Sequence, residues 1–191
     1  MGSSGAARFT AAMADNGNGA AGGSGVETLS RFGLSSIAGT SGQLWINYTV
    51  AQATTTISKL TVCSGDTAAV ACTLARMCVF TVAADGSVTL VARTASQTTI
   101  GAATFTAYQF ALNTTGGFPA AYDLAAGTRY GLGFLQVAGT PMSISGMFIT
   151  DSGAAPIACR VITGQSDIGT SAYAVGTLTT QFTECYMAAR P

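Results

Sequence analysis

The sequence predicts an all-β protein: an antiparallel β-sandwich of jelly-roll type, preceded by an extended arm over residues 1–25. Three observations carry this. From about Val26 onward, short segments alternate apolar and polar residues with a period of two, as a strand with one buried face requires. Glycine- and threonine-rich turns separate them at intervals of about 8 to 15 residues, the spacing of short antiparallel strands. No apolar period of 3.6 residues persists beside capping signals, so helix is limited to a turn or two. Eight or nine strands over 26–191 make one sandwich domain, with neither an internal repeat nor a second domain.

The arm comes first. Gly2-Ser-Ser-Gly-Ala-Ala, then Arg8-Phe9-Thr10, then the glycine-rich run from Asn16 to Gly25 bury too little apolar surface to offset their ordering entropy. Arg8, Phe9 and Met13 are its bulky residues, so they are the expected anchors against a neighbouring subunit. A trivial flexible leader is the competing reading.

Gln43 to Val50 is the cleanest strand. Leu44, Ile46, Tyr48 and Val50 share one face; Gln43, Trp45, Asn47 and Thr49 share the other, polar one. Leu74 to Val82 and Ser87 to Arg93 flank Asp85-Gly86, a hairpin signal. The first arm of the hairpin is apolar on both faces, which calls for a further layer or another subunit over it. The second is expected to turn Val88, Leu90 and Ala92 inward together. Thr104 to Leu112 places Tyr108, Phe110 and Leu112 on one face. Arg129 to Val137 sets Tyr130, Leu132 and Phe134 against Gly131 and Gly133. Met142 to Thr150, Ile157 to Ile162 and Leu178 to Met187 complete the set.

Composition narrows the function. The 191 residues include no histidine, and 8% are charged, against roughly 25% in ordinary soluble domains. Acid–base and metal chemistry near neutral pH leans on imidazole, so no enzyme, cofactor or metal is expected. The eight acidic residues fall mostly in turns, where their own backbone hydrogen bonds favour them. None pairs at i, i+2 on a strand as a glycosidase-like pair would. Lys59, the single lysine, stands in a threonine-rich strand without support for a serine–lysine pair. The net charge is zero and the basic residues are scattered, which argues against nucleic acid. No apolar run of about 18 residues is present, so no membrane insertion is expected. An N-terminus without the apolar stretch of a secretory signal fits assembly in a cytoplasm. Neutral, hydroxyl-rich faces associate readily.

The five cysteines, Cys63, Cys72, Cys78, Cys159 and Cys185, show no metal-ligand spacing and read as small core residues, with a structural disulfide as the alternative. Cys63 and Cys78 fall on successive strands. Trp45, the single tryptophan, sits by parity on the polar face between Gln43 and Asn47. Three readings stand: contact with an interface or the arm, a core position if a bulge shifts parity, or a glycan platform formed with Gln43 and Asn47.

One ordered set of motifs runs over residues 45–140. It comprises the hydroxyl-rich strand from Thr54 to Ser64-Gly65, then Thr73-Leu-Ala-Arg76, the Asp85-Gly86 hairpin, and Ala126-Gly-Thr-Arg-Tyr130 at a strand start. This order resembles a β-sandwich domain of virion proteins from phages that infect actinobacteria, often described as minor tail proteins. The resemblance implies a virion-surface subunit, assembled in the bacterial host cytoplasm, that contacts other virion proteins and copies of itself, with a homotrimer expected. It implies host-surface glycan as a further partner and carries over no catalytic residue. Such domains usually follow a long fibrous shaft. Here a short arm stands in that place, which suits a capsid decoration protein or a compact tail subunit equally well.

Overall fold

The computed structural model describes residues 25–28, 34–148, 159–169, 172–181 and 183–191. The arm anchors Arg8, Phe9 and Met13 lie outside the described residues. The described chain is all-β, and its one helical element is the 3-10 turn Val175–Thr177.

Two sheets face each other. The first contains β1 (Val26–Glu27), β5 (Lys59–Cys63), β8 (Ala107–Ala111) and β15 (Met187–Arg190), in the order β1-β15-β5-β8. The second contains β3 (Gln43–Val50), β6 (Val70–Val82), β7 (Val88–Arg93), β10 (Arg129–Thr140), β12 (Cys159–Ile162) and β13 (Thr179–Gln181), in the order β13-β12-β3-β10-β6-β7. Smaller sheets join β2 (Ser35–Ile37), β11 (Ile144–Phe148) and β14 (Thr183–Cys185), and β4 (Thr55–Ile57) with β9 (Tyr122–Leu124). All named pairings are antiparallel.

Pairing runs from the ends of the domain inward. β1 pairs with β15, β3 with β10, β5 with β8, and β6 with β7. Two further pairings, β15 with β5 and β10 with β6, join these pairs into the two facing sheets. The β6–β7 hairpin closes where Asp85-Gly86 predicts. Gly86 has φ +84°, Ala83 N–H donates to the Ser87 carbonyl, and Ser87 donates twice to Asp85 Oδ1.

The first core lies between the sheets. Val62, Phe110 and Met187 from one side meet Met77, Leu132 and Phe134 from the other. The second core lies on the opposite face of the larger sheet, around Leu44, Ile46, Phe80 and Leu135. Its cover is not another sheet. Ile168, Tyr173 and Leu178, on the irregular chain after β12, close over it. Several ties hold that cover. Asp167 pairs with Arg76 at 2.9 Å, Arg93 Nη1 donates to the Ile168 carbonyl at 3.1 Å, and Tyr173 forms a bridge with Val88. The Tyr173 ring meets Phe80 edge-on at 5.9 Å. The apolar surface on both faces of β6 is thus met within the chain.

β10 shows why the second core is thick. Gly131 and Gly133 lie on the face turned toward Phe80. A Cβ on Gly133 would sit 2.5 Å from Cys78 Sγ and 2.8 Å from Phe80 Cε2. The two glycines leave the space that the Phe80 ring occupies.

Two expectations are corrected here. Val88, Leu90 and Ala92 are all buried, but not on one face. The β6–β7 register shifts between Val79 and Phe80, leaving Val91 as an extra residue. This bulge sends Ala92 to the first core and Val88 and Leu90 to the second. The strand expected from Thr104 starts instead at Ala107, and 103–106 form a turn.

Candidate functional site

Trp45 and Asn47 are not on an exposed polar face. β3 is a central strand, paired on one side with β10 and on the other with β12, and both of its faces are covered. Trp45 belongs to the first core and is 5% exposed. Asn47 is fully buried, and its Nδ2 donates to the Cys185 carbonyl at 2.6 Å, tying β3 to β14. The amide that read as a surface signal is an internal strut. Gln43 lines a crevice of about 10 Å³ with Trp45, Phe134 and Gln136, room for about one water molecule. The structure therefore brings Trp45 and Gln43 together, but not as a platform open to a ligand.

All five thiols are free. Cys78, Cys159 and Cys185 are buried, and burial pushes each thiol well up from its ordinary range. They are unreactive core residues. Cys63 and Cys78 stand on successive strands but in different sheets.

An open concavity lies elsewhere among the described residues. A cleft of about 340 Å³ is lined by Leu34, Ser35, Cys63, Ser64, Phe105, Ser145 and Tyr186. That volume is at the lower end of small-molecule sites. Among the described residues that line it, none carries a formal charge. β11 brings Ser145 to the cleft and runs on to Met147 and Phe148, both exposed.

Phe105 gives the cleft its character. It is 76% exposed and has φ +48°, a left-handed conformation that a phenylalanine rarely adopts. The turn holding it is braced from below. Phe105 N–H donates to the Gly65 carbonyl at 2.8 Å. Buried Ser64 donates its hydroxyl to the Ala103 carbonyl and accepts from Thr106 N–H. Tyr108 OH donates to the Ala103 carbonyl and accepts from Ala103 N–H. Five hydrogen bonds thus hold a strained residue whose side chain buries little. Such strain persists only where the surroundings over-determine it, and it concentrates at functional positions. Nothing in the local sequence announces this, because Thr104-Phe105-Thr106 reads as the start of the following strand.

Beside the cleft, Asp66 Oδ1 accepts hydrogen bonds from Ser36, Ser143 and Thr67, which hold its carboxyl below the usual range. Asp123 accepts from Thr56 at 2.6 Å. Glu27 is buried, pairs with Arg190 and accepts from Tyr186 OH at 3.0 Å, fixing the first strand to the last. These carboxylates join elements of the fold. Among the described residues no group of three or more histidine, cysteine or acidic side chains is placed to hold a metal ion. No described helix is long and apolar enough to cross a membrane. Comparison with protein-family models and with curated proteins finds no match for the chain.

Proposed function

We propose that the chain is a bacteriophage virion structural protein. It is a surface-exposed subunit of capsid-decoration or minor-tail type, docked through its N-terminal arm and associated with copies of itself as a homotrimer. The observation that carries this reading is Phe105: an aromatic side chain held out to solvent on a fixed turn, in a chain with hardly any charge, suits coverage by other protein. The carboxylates of Glu27, Asp66, Asp85, Asp123 and Asp167 are engaged in hydrogen bonds or ion pairs that join strands and turns, which favours a structural role over a catalytic one.

The winding of the strands supports the reading as well. Nested pairing of first with last strand, inward to a central hairpin, is what a jelly roll produces, and viral capsid subunits are among the proteins that use it. Lectins use it too, so the fold narrows the choice without making it.

The test compares the full chain with a form lacking residues 1–25 and with Phe105→Ser. The full chain should be a trimer by light scattering and should sediment with virions. The truncated form should keep its thermal midpoint but leave the particles, and Phe105→Ser should weaken association while remaining folded. A monomeric full chain, or retention of the truncated form on particles, overturns the proposal.

A second reading, recognition of host-surface carbohydrate, is favoured by one observation: the described residues of the cleft carry hydroxyls and no formal charge, and an exposed ring able to stack on a sugar edges it. Its residues are then Phe105, Ser35 and Ser145, in place of the buried Trp45 and Asn47. Phe105→Ala would abolish binding to cell-envelope polysaccharide with the oligomeric state unchanged.

A further inference from the structure

The second core carries an unanswered set of hydrogen-bond donors at its margin. Arg160 lies on β12, opposite Ile46 of β3 and Thr180 of β13. Cross-strand partners share a face, so its side chain projects on the same side of the sheet as Ile46 and Tyr48. It reaches the β6–β7 turn, where Nη1 and Nη2 lie 3.8 and 3.9 Å from the position a Cβ on Gly86 would take. Its Nε and Nη1 are buried and have no hydrogen-bond partner. Tyr48, two residues beyond Ile46, is 8% exposed, and its hydroxyl is likewise buried without a partner. The Arg129 guanidinium stacks on the Tyr48 ring at 4.4 Å from its centre.

Charge sharpens the point. The described carboxylates named above have other partners: Asp85 holds Ser87, Asp167 holds Arg76, and Glu27 holds Arg190. Arg160 is half-buried, and two of its three guanidinium nitrogens are shielded from water without an acceptor, an arrangement that costs free energy and that an anion seated against them would relieve. Burial raises the Tyr48 hydroxyl pKa, and Arg160 is the largest opposing influence, which places the two groups within electrostatic reach of each other. The guanidinium can only donate and the phenol hydroxyl can donate as well, so one acceptor would answer both, and the positive charge favours a negative one.

We propose that Arg160 and Tyr48 form an oxyanion-binding site, for a carboxylate or a phosphate group, between β12, β3 and the β6–β7 turn. The site stands on a different face of the molecule's architecture from the Phe105 cleft and does not depend on the proposed virion role.

The test uses the full chain and follows its thermal unfolding midpoint. Sodium phosphate and sodium acetate are titrated separately, with ionic strength held constant by sodium chloride. At least one of them should raise the midpoint saturably, as a ligand that binds only the folded state does. Phosphate alone acting marks a phosphate site; acetate acting marks a carboxylate site. Arg160→Met should abolish the rise and Tyr48→Phe should reduce it. Both variants remove a donor that has no partner, so both should fold. As a second readout, the Arg160 Nε–H resonance, assigned by its loss in Arg160→Lys, should shift with the same saturation curve. A midpoint that neither salt moves relative to chloride, or a rise that survives Arg160→Met, overturns the site.

Discussion

The two faces of the larger sheet are built by different means. The face toward the smaller sheet meets a second regular layer, and its core follows from alternation: Tyr130, Leu132 and Phe134 on β10 all point into it. The opposite face is closed by irregular chain carrying Ile168, Tyr173 and Leu178, tied down by an ion pair, a hydrogen bond from Arg93, a bridge and an aromatic contact. Period-two patterning tells which residues want burial, but not what buries them. A strand apolar on both sides, as β6 is, points to a second cover, and in this chain the cover is its own.

The comparison fails most visibly if the irregular cover is only loosely packed. Phe80→Ala on the second face should then cost far less than Phe134→Ala on the first. Both rings are essentially fully buried, so we expect each substitution to cost about 3–5 kcal/mol in denaturant unfolding, as for phenylalanines in well-packed cores. A cost under about 1 kcal/mol for Phe80→Ala, well below that range, would reduce the second core to a surface adornment.

A different kind of weakness marks the edge of the first core. Glu184 is buried beside Cys159 and Cys185, and burial pushes its carboxyl up to about 8. The folded state then keeps a proton that the unfolded chain gives up above the ordinary value of 4.5. Stability is therefore full below about pH 4.5 and falls as pH rises toward 8, by about 1.4 kcal/mol per unit, levelling off above. Glu184→Gln should remove this slope and stabilise the protein by about 2 kcal/mol at pH 6, read from urea midpoints across the pH range. Parallel pH profiles for the two proteins would place the carboxyl in water.

Crowding at β10 gives a finer comparison. Gly133→Val forces atoms against Cys78 and Phe80 and should cost about 1–3 kcal/mol or prevent folding. A paired substitution, Gly133→Val with Cys78→Ala, should recover part of that loss, because the sulfur nearest the added atoms is gone. The smallest effect is expected at the turn. Phe105→Gly relieves a left-handed backbone but adds freedom to the unfolded chain, so stability should stay within about 1 kcal/mol. A large loss would mean that Phe105 is packed rather than presented.

Much of this was legible where the cause is local. Asp85-Gly86 specifies its own turn geometry, and the opposed faces of β10 follow from the sequence of aromatic, leucine and glycine residues. The surroundings of β3 were not legible. Asn47 and Gln43 gave Trp45 a polar setting, and only pairing with β10 and β12 shows that the setting is interior. The extra residue at Val91 leaves no mark in the alternation, yet it exchanges the faces of everything beyond it on β7.

By itself, the sequence determined the all-β class, the central hairpin and the apolar demand of each strand. These rest on backbone preference and on a side-chain period set by neighbours in the chain. Tertiary structure alone decided what meets those demands. It placed Trp45 inside, left Phe105 beside an open cleft, and set Arg160 and Tyr48 on one face of the larger sheet. The physical reason is that burial and charge compensation belong to pairs of residues far apart in sequence, and the pairing exists only once the sheets have closed.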